Sequence, residues 1–224
     1  MSPLGKGAIP RDGFGGLARM YRTLEFAAFG GDLERARFCF LDRLRNCHDI
    51  LLLGEGDGRN AFRIASLAPE ARLLYLDASP GMSAAAERRL APFRDRVTFL
   101  RADARTCDLA LHAFDAVTTP FFLDCFTEAE AEPVVARVTA AMQPKALWLF
   151  ADFVLPAAGW RRWRAKAWLV GLYAFFRWRT RLSARALPPS EAILLAAGWR
   201  LEAAQEFQGG LVRSAVFSRP GAQR

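Results

Sequence analysis

The sequence repeats one pattern along much of its length: a short apolar segment followed by a stretch with helical periodicity. Strands that are apolar on both faces are typical of a parallel sheet covered by helices on both sides. The pattern therefore predicts an α/β fold with five parallel strands, at Asp49–Leu53, Arg72–Leu76, Val97–Arg101, Phe114–Thr119 and Ala146–Phe150.

Helical spacing of apolar residues predicts the helices between these strands. One begins near Asn60, and the others cover Met82–Leu90 and Glu128–Met142. Two more helices are expected between Leu17 and about Arg45, with Asp32 as the N-cap of the second. Residues 1–14 are rich in Gly and Pro, and this composition predicts a poorly ordered N-terminal tail.

The C-terminal part changes to a hairpin pattern. Trp199–Glu206 and Leu211–Ser218 have strand character and flank Gly209-Gly210. With the five parallel strands, this predicts a doubly wound, seven-stranded sheet that is mostly parallel and closes with an antiparallel hairpin. A length of 224 residues fits one domain. Its expected parts are N-terminal tail and helices at 1–48, a core at 49–155, a helical insertion at 156–190, and a closing helix and hairpin at 191–224.

Three glycines alternate with acids directly after the first predicted strand, in Gly54-Glu55-Gly56-Asp57-Gly58. Glycine lets the backbone turn sharply and approach a ligand without a Cβ in the way. The helix that follows presents free N–H groups and the positive end of its dipole. The cluster indicates a ligand-binding loop, and a plain strand-to-helix turn is the alternative.

Acidic residues end the next two strands. Asp77 follows the second strand, at the distance from the glycines where a ribose diol is held in dinucleotide folds. Asp103 follows the third and is a candidate acceptor for an adenine amino group. The alternatives are a helix cap for Asp77 and an ordinary loop carboxylate for Asp103.

Together these residues resemble the class I S-adenosylmethionine-dependent methyltransferases of the small-molecule type, over roughly residues 49–218. Gly54, Gly56 and Gly58 fit the family's GxGxG loop, Asp77 its ribose-binding acid and residues 102–104 its adenine-side segment. The resemblance implies a Rossmann-like fold, S-adenosylmethionine as cofactor and methyl transfer to a small molecule. The cofactor-binding residues that it implies are Gly54, Glu55, Gly56, Gly58, Asp77, Ala78, Met82, Asp103, Ala104 and Thr119, together with Tyr21 from the N-terminal region.

The sequence departs from the family at Leu52, where many members carry an acid two residues before the first glycine. Leu51–Gly58 also resembles the aminopropyltransferases, which use decarboxylated S-adenosylmethionine and need acids to hold a polyamine. Because the loop after the fourth strand is apolar, methyl transfer is favoured over this alternative. A non-catalytic, adenosyl-binding protein that associates with membranes is a third hypothesis.

The loop after the fourth strand is the candidate site for the methyl acceptor. It supplies aromatic side chains and one carboxylate, Asp124, which could orient the acceptor or accept its proton. Core packing is the alternative for the aromatic residues, and a helix cap is the alternative for Asp124. The expected pocket for a hydrophobic or aromatic acceptor, lipid-like or quinone-like, is lined by Phe121, Phe122, Phe126 and Tyr173.

The chain's positive charge lies in one segment. Eight basic residues and no acid lie between Asp152 and Glu191, while the rest of the chain has 23 basic and 23 acidic residues. Within it, residues 160–185 combine arginines with tryptophans around an apolar centre. This pattern suits contact with an anionic membrane surface or a lid over the acceptor, and a solvated basic rim is the alternative. Nucleic acid is a weaker hypothesis, because the apolar centre would face phosphates.

Composition limits other classes of site. Two histidines and four cysteines without metal-like spacing argue against a metal site and a disulfide framework. The N-terminal residues lack the apolar run of a signal peptide. The expected location is the cytoplasm, with peripheral contact at the inner face of the membrane as the further hypothesis.

Overall fold

The predicted strands form one seven-stranded sheet with the order β3-β2-β1-β4-β5-β7-β6. A computed structural model describes residues 31–154 and 187–221. The strands are β1 (Asp49–Leu53), β2 (Arg72–Leu76), β3 (Val97–Leu100), β4 (Phe114–Pro120), β5 (Met142–Phe153), β6 (Arg200–Phe207) and β7 (Val212–Ser218). β1 to β5 pair in parallel, and β7 pairs antiparallel with both β5 and β6. The predicted fold class and the closing hairpin are confirmed.

Five α-helices lie in the described ranges: α1 (Asp32–Phe38), α2 (Arg59–Leu67), α3 (Pro80–Arg89), α4 (Glu128–Ala141) and α5 (Ser190–Ala196). Local sequence sets two of their starts. The Ser79 hydroxyl accepts a hydrogen bond from the Met82 N–H at 3.3 Å, which caps α3. Thr127 and Glu130 form a capping box at the start of α4.

The N-terminal helix differs from the prediction. Asp32 is the first residue of α1 and not its N-cap, because the cap position is held by Gly31, without a side-chain hydrogen bond. The helix ends at Phe38, and a 3₁₀ turn over Leu41–Leu44 replaces its expected continuation. The carboxylate of Asp32 is used instead in an ion pair with Arg35 and as acceptor for Gln208 at the hairpin turn.

The side chains of β1 supply both layers of the core. Leu51 and Leu53 pack with α4 and α5, whereas Ile50 and Leu52 pack with α2 and α3. All four side chains are fully buried, which explains why this strand reads as a continuous apolar run. None of the helices in ranges 31–154 and 187–221 is long and apolar enough to cross a bilayer.

The strand order places the ligand site. Chain progression reverses between β1 and β4, which are neighbours in the sheet although two strands separate them in sequence. In open α/β sheets, ligands bind in the crevice at the carboxyl ends of the strands next to such a reversal. The loops after β1 and β4, which hold the glycines and Asp124, lie at this point.

Candidate active site

The glycine loop has the backbone that the sequence predicted. Gly54, Gly56 and Gly58 have φ angles of +63°, +61° and +78°, a region that residues with a Cβ rarely adopt. A Cβ on Gly58 would lie 3.0 Å from the Cα of Ala86, so this glycine also lets the loop pack against α3. Each of the three glycines is therefore favoured at its position by the φ angle, both for a ligand-binding loop and for a plain strand-to-helix turn.

Asp77 lies beside this loop, as expected. Its carboxylate accepts hydrogen bonds from the N–H groups of Gly56 at 3.3 Å and Ser79 at 2.8 Å. Burial raises the pKa of the Asp77 carboxyl, and these two N–H groups counteract part of that effect. The hydroxyl of Tyr75, in β2, donates a hydrogen bond to the carbonyl of Gly56 at 2.5 Å and so links the loop to this strand. The ends of β1 and β2 thus form one unit.

The other proposed cofactor residues have varied surroundings. Asp103 is held by Arg105, at 2.7 Å in their ion pair, and this contact lowers the pKa of its carboxyl. Arg105 also pairs with Glu130 of α4. Ala78 is exposed, Ala104 is buried and Met82 is half-buried. Thr119 is fully buried, and its hydroxyl accepts a hydrogen bond from the Trp148 indole.

The phenylalanines after β4 fall into two groups. Phe121 has a φ of +53° and packs against Phe153, with the two rings tilted and their centroids 5.2 Å apart. The guanidinium of Arg37 lies over the Phe121 ring, 4.8 Å from its centroid. Phe122 packs edge-on against Phe126 at 5.0 Å. A Cβ on Gly54 would lie 2.2 Å from Cδ2 of Phe122, so this ring lies directly on the glycine loop.

Asp124 is paired with an acid that the sequence analysis missed. The N–H of Asp124 donates to Oδ2 of Asp152 at 3.0 Å, and the two carboxyl groups lie within hydrogen-bonding reach of each other. Asp152 lies near the end of β5 and is fully buried. The signal in the sequence that could have revealed Asp152 is its position as an acid inside the apolar run of residues 146–153. The helix that follows, α4, is capped by Thr127 and Glu130 and not by Asp124.

Burial determines the protonation of this pair. It raises the pKa of Asp124 to about 6, with Asp152, Cys125 and the positive charge of Arg37 opposing the rise. Burial and the charge of Asp124 raise the pKa of Asp152 well above its usual range. The pair therefore keeps a proton to a higher pH than two separate carboxyl groups would.

Arg37 of α1 connects the two halves of the site, and sequence reasoning gave no signal for it. Its charge lowers the pKa of both Glu55 in the glycine loop and Asp124 after β4. The two acids thus lie near one cation. Two predicted residues, Tyr21 and Tyr173, and the basic segment 160–185 lie outside the described residues.

Comparison with known proteins shows what this domain resembles. Residues 50–145 match a family model described as a methyltransferase domain. This part of the chain is therefore similar to methyltransferase domains, and its strand order agrees with the resemblance seen in the sequence. The cofactor that the resemblance implies is S-adenosylmethionine. No protein of curated function matches the sequence.

Solved methyltransferase structures share the fold. An O-methyltransferase family protein from Burkholderia thailandensis has a TM-score of 0.67 and 13% identity, over 92% of this chain and 58% of its own. The N-methyltransferase NodS from Bradyrhizobium japonicum WM9, in complex with S-adenosyl-L-homocysteine, has a TM-score of 0.66 and 15% identity, over 92% and 99%. An O-methyltransferase family 2 protein from Planctomyces limnophilus DSM 3776, in complex with apigenin, has a TM-score of 0.68 and 15% identity. The match covers 89% of this chain and 61% of that protein. This chain therefore spans less than two thirds of the length of the first and third proteins.

The residues of the methyltransferase domain fit this cofactor. At Gly56 a Cβ would meet only the sulfur of Met82, at 3.9 Å, so a ligand can approach the backbone there, and Asp77 supplies a carboxylate beside the same residue. Glu55 of the same loop has a buried carboxylate oxygen without a hydrogen-bond partner among the described residues. Leu52, at the position of the family acid, is fully buried in the core and contributes no charge. No group of three or more residues suited to bind a metal occurs within the described ranges.

Asp77 provides a direct test of the cofactor site. Replacing Asp77 with alanine is expected to weaken binding of S-adenosylhomocysteine by about 2 kcal/mol, because a charge-assisted hydrogen bond is lost. Titration calorimetry measures this change, and thermal unfolding checks the loss of the acceptor for Gly56 and Ser79. Unchanged affinity in a folded variant would exclude the ribose role.

Proposed function

We propose that this chain transfers the methyl group of S-adenosylmethionine to a small hydrophobic or aromatic acceptor, which is bound at the loop after β4. The observation that carries the proposal is the contact of Phe122 with Gly54. It makes the aromatic loop and the glycine loop two sides of one site. The apolar rings exclude water there, and the carboxyl pair supplies the polar group that an acceptor needs.

Asp124 is the proposed acceptor of the proton. When bound, S-adenosylmethionine supplies a methyl group on a sulfonium, and the carbon–sulfur bond that breaks leaves its electron pair on sulfur. A pKa of about 6 keeps Asp124 ionised at neutral pH yet basic enough to accept a proton from an acceptor O–H or N–H. Asp152 holds the backbone N–H of Asp124 and so positions it.

The comparisons support a small-molecule acceptor without naming it. One similar protein is in complex with apigenin, and the family match is to a methyltransferase domain. Both favour methyl transfer over the aminopropyl transfer considered above. A lipid-like or quinone-like acceptor and contact of residues 160–185 with anionic membrane remain predictions from sequence.

The test combines acceptor discovery with one substitution. Purified protein is incubated with a metabolite extract and S-adenosylmethionine that carries an isotope-labelled methyl group, and labelled products are identified by mass spectrometry. Absence of any labelled product, with no S-adenosylhomocysteine formed, would contradict the enzymatic proposal and favour the non-catalytic alternative.

Once a labelled product is known, Asp124→Asn is expected to lower its rate of formation about 100-fold or more, because general-base catalysis contributes about that factor. Affinity for S-adenosylhomocysteine should change less than threefold. Asp95→Asn, at an exposed position, is the matched control. A variant that loses thermal stability and rate in proportion would indicate that Asp124 is structural.

A further inference from the structure

Glu55 has an unusual position for a carboxyl group. It lies between Gly54 and Gly56 in the cofactor loop, and only 7% of its surface is exposed. Its Oε1 accepts hydrogen bonds from the Asn60 amide at 2.9 Å and from the Thr118 hydroxyl. Its Oε2 is buried and has no partner among the described residues.

A second acceptor without a donor belongs to the same cluster. Oδ1 of Asn60, the second residue of α2, also has no partner within the described ranges, and the side chain is 3% exposed. Buried polar atoms without partners are rare in folded proteins, since each loses its hydrogen bonds to water. Two such oxygens beside a cofactor loop indicate that the ligand supplies a donor.

The cluster borders open space. Asn60 and Thr118 line a cavity of about 10 Å³, which has room for a group about the size of one water molecule, together with Arg37, Pro120, Ala151 and Ser214. Because Asn60 and Thr118 are the two residues that hold Glu55, a ligand group in this cavity would lie next to the Glu55 carboxyl. S-adenosylmethionine carries a group suited to two acceptor oxygens, namely the ammonium of its methionine end, which has three N–H donors and a positive charge.

We propose that Glu55 and Asn60 bind the ammonium group of S-adenosylmethionine, and that Glu55 loses its proton as the cofactor binds. This proposal rests on the cofactor and is independent of the acceptor and of Asp124. The proton leaves Glu55 for solvent, and the carboxylate that remains pairs with the ammonium group.

The charges around Glu55 are compatible with such a step. Burial raises the pKa of Glu55 to about 7, with Asp77 adding to the rise and Arg37, Thr118 and Asn60 opposing it. A cation at Oε2 would stabilise the carboxylate and lower that pKa. The proton is therefore bound without the cofactor and released with it, mainly below pH 7.

The experiment counts protons. S-adenosylhomocysteine is titrated into the protein at pH 6, 7 and 8 by calorimetry, in two buffers of different ionisation enthalpy. Release of close to one proton per site is expected at pH 6, about half at pH 7 and close to none at pH 8. Affinity should rise about tenfold from pH 6 to pH 8. Methylthioadenosine has the adenosine and the sulfur but no ammonium, so it should bind without this release.

A variant assigns the proton to Glu55. In Glu55→Gln, release should disappear and affinity should become independent of pH, whereas Asp95→Asn, at an exposed position, should behave like wild type. Equal release with methylthioadenosine, or release that persists in the glutamine variant, would overturn the proposal. Binding of S-adenosylhomocysteine without any release would overturn it while the cofactor assignment stands. Absence of any binding would refute both. The comparison of the two ligands uses wild-type protein alone, so it remains decisive even when the variant does not fold.

Discussion

Replacing Gly54 with alanine is expected to lower the free energy of unfolding by about 3 kcal/mol and to abolish measurable cofactor binding. A residue with a Cβ at a φ of +63° costs about 1–2 kcal/mol. The new Cβ would also lie 2.2 Å from Cδ2 of Phe122, so the ring must move, at an overpacking cost of about 1–2 kcal/mol. Urea unfolding and calorimetry with S-adenosylhomocysteine measure the two effects.

Gly56 is the matched control for this experiment. Its φ of +61° is nearly the same, but a Cβ there would meet only the sulfur of Met82, at 3.9 Å. Gly56→Ala should therefore cost only the backbone strain. Adding Phe122→Ala should reduce the cost of Gly54→Ala to that same value, a coupling of about 1–2 kcal/mol. Equal costs for the two alanine variants would show that Phe122 does not lie on Gly54 in solution.

The Glu55→Gln variant is expected to gain stability relative to wild type as pH rises. Burial raises the pKa of Glu55 from 4.5 to about 7, so the folded protein binds this proton more tightly than the unfolded chain does. Stability from Glu55 is complete below pH 4.5 and is lost as pH rises through 7. The loss corresponds to about 3 kcal/mol. Glutamine does not titrate, so the difference in unfolding free energy between variant and wild type should grow by that amount from pH 4.5 to pH 8.

Urea unfolding of both proteins at several pH values measures this difference. Titrating groups that do not interact with Glu55 contribute equally to wild type and variant, so they cancel in the difference. Glu128→Gln, at an exposed position on α4, serves as the control substitution. A difference that stays constant between pH 4.5 and pH 8 would show that Glu55 is already ionised in the folded protein, and it would argue against proton release on cofactor binding.

Local sequence information was sufficient to predict the glycine loop and its position beside Asp77. The bounds predicted for β1 and β2 agree with the structure, and the glycines form the sharp turn expected after β1, with positive φ angles. Asp77 lies against Gly56 because parallel strands end at one edge of a sheet. Each of these features depends on neighbours in sequence or on a regular strand–helix repeat, which is why the pattern of apolar residues and glycines reveals them.

The acceptor side could be predicted only in part. Phe121, Phe122 and Phe126 were expected to line one pocket, and in the structure Phe121 packs with Phe153 while Phe122 packs with Phe126. Side chains that follow one another in a loop can point in different directions, because an irregular backbone has no fixed periodicity. The left-handed φ of Phe121 could not be predicted from its residue type, since non-glycine residues seldom adopt it.

The sequence by itself determined the fold class, with a mostly parallel sheet that closes in a hairpin, and the position of the glycine loop after the first strand. Tertiary structure alone decided which ionisable groups meet. Asp124 and Asp152 are 28 residues apart and become a proton-sharing pair because β4 and β5 are neighbours. Glu55 becomes a buried titrating group because Thr118 and Asn60 enclose it. Desolvation and distance set the charge of a carboxyl group, and both depend on residues that are remote in sequence.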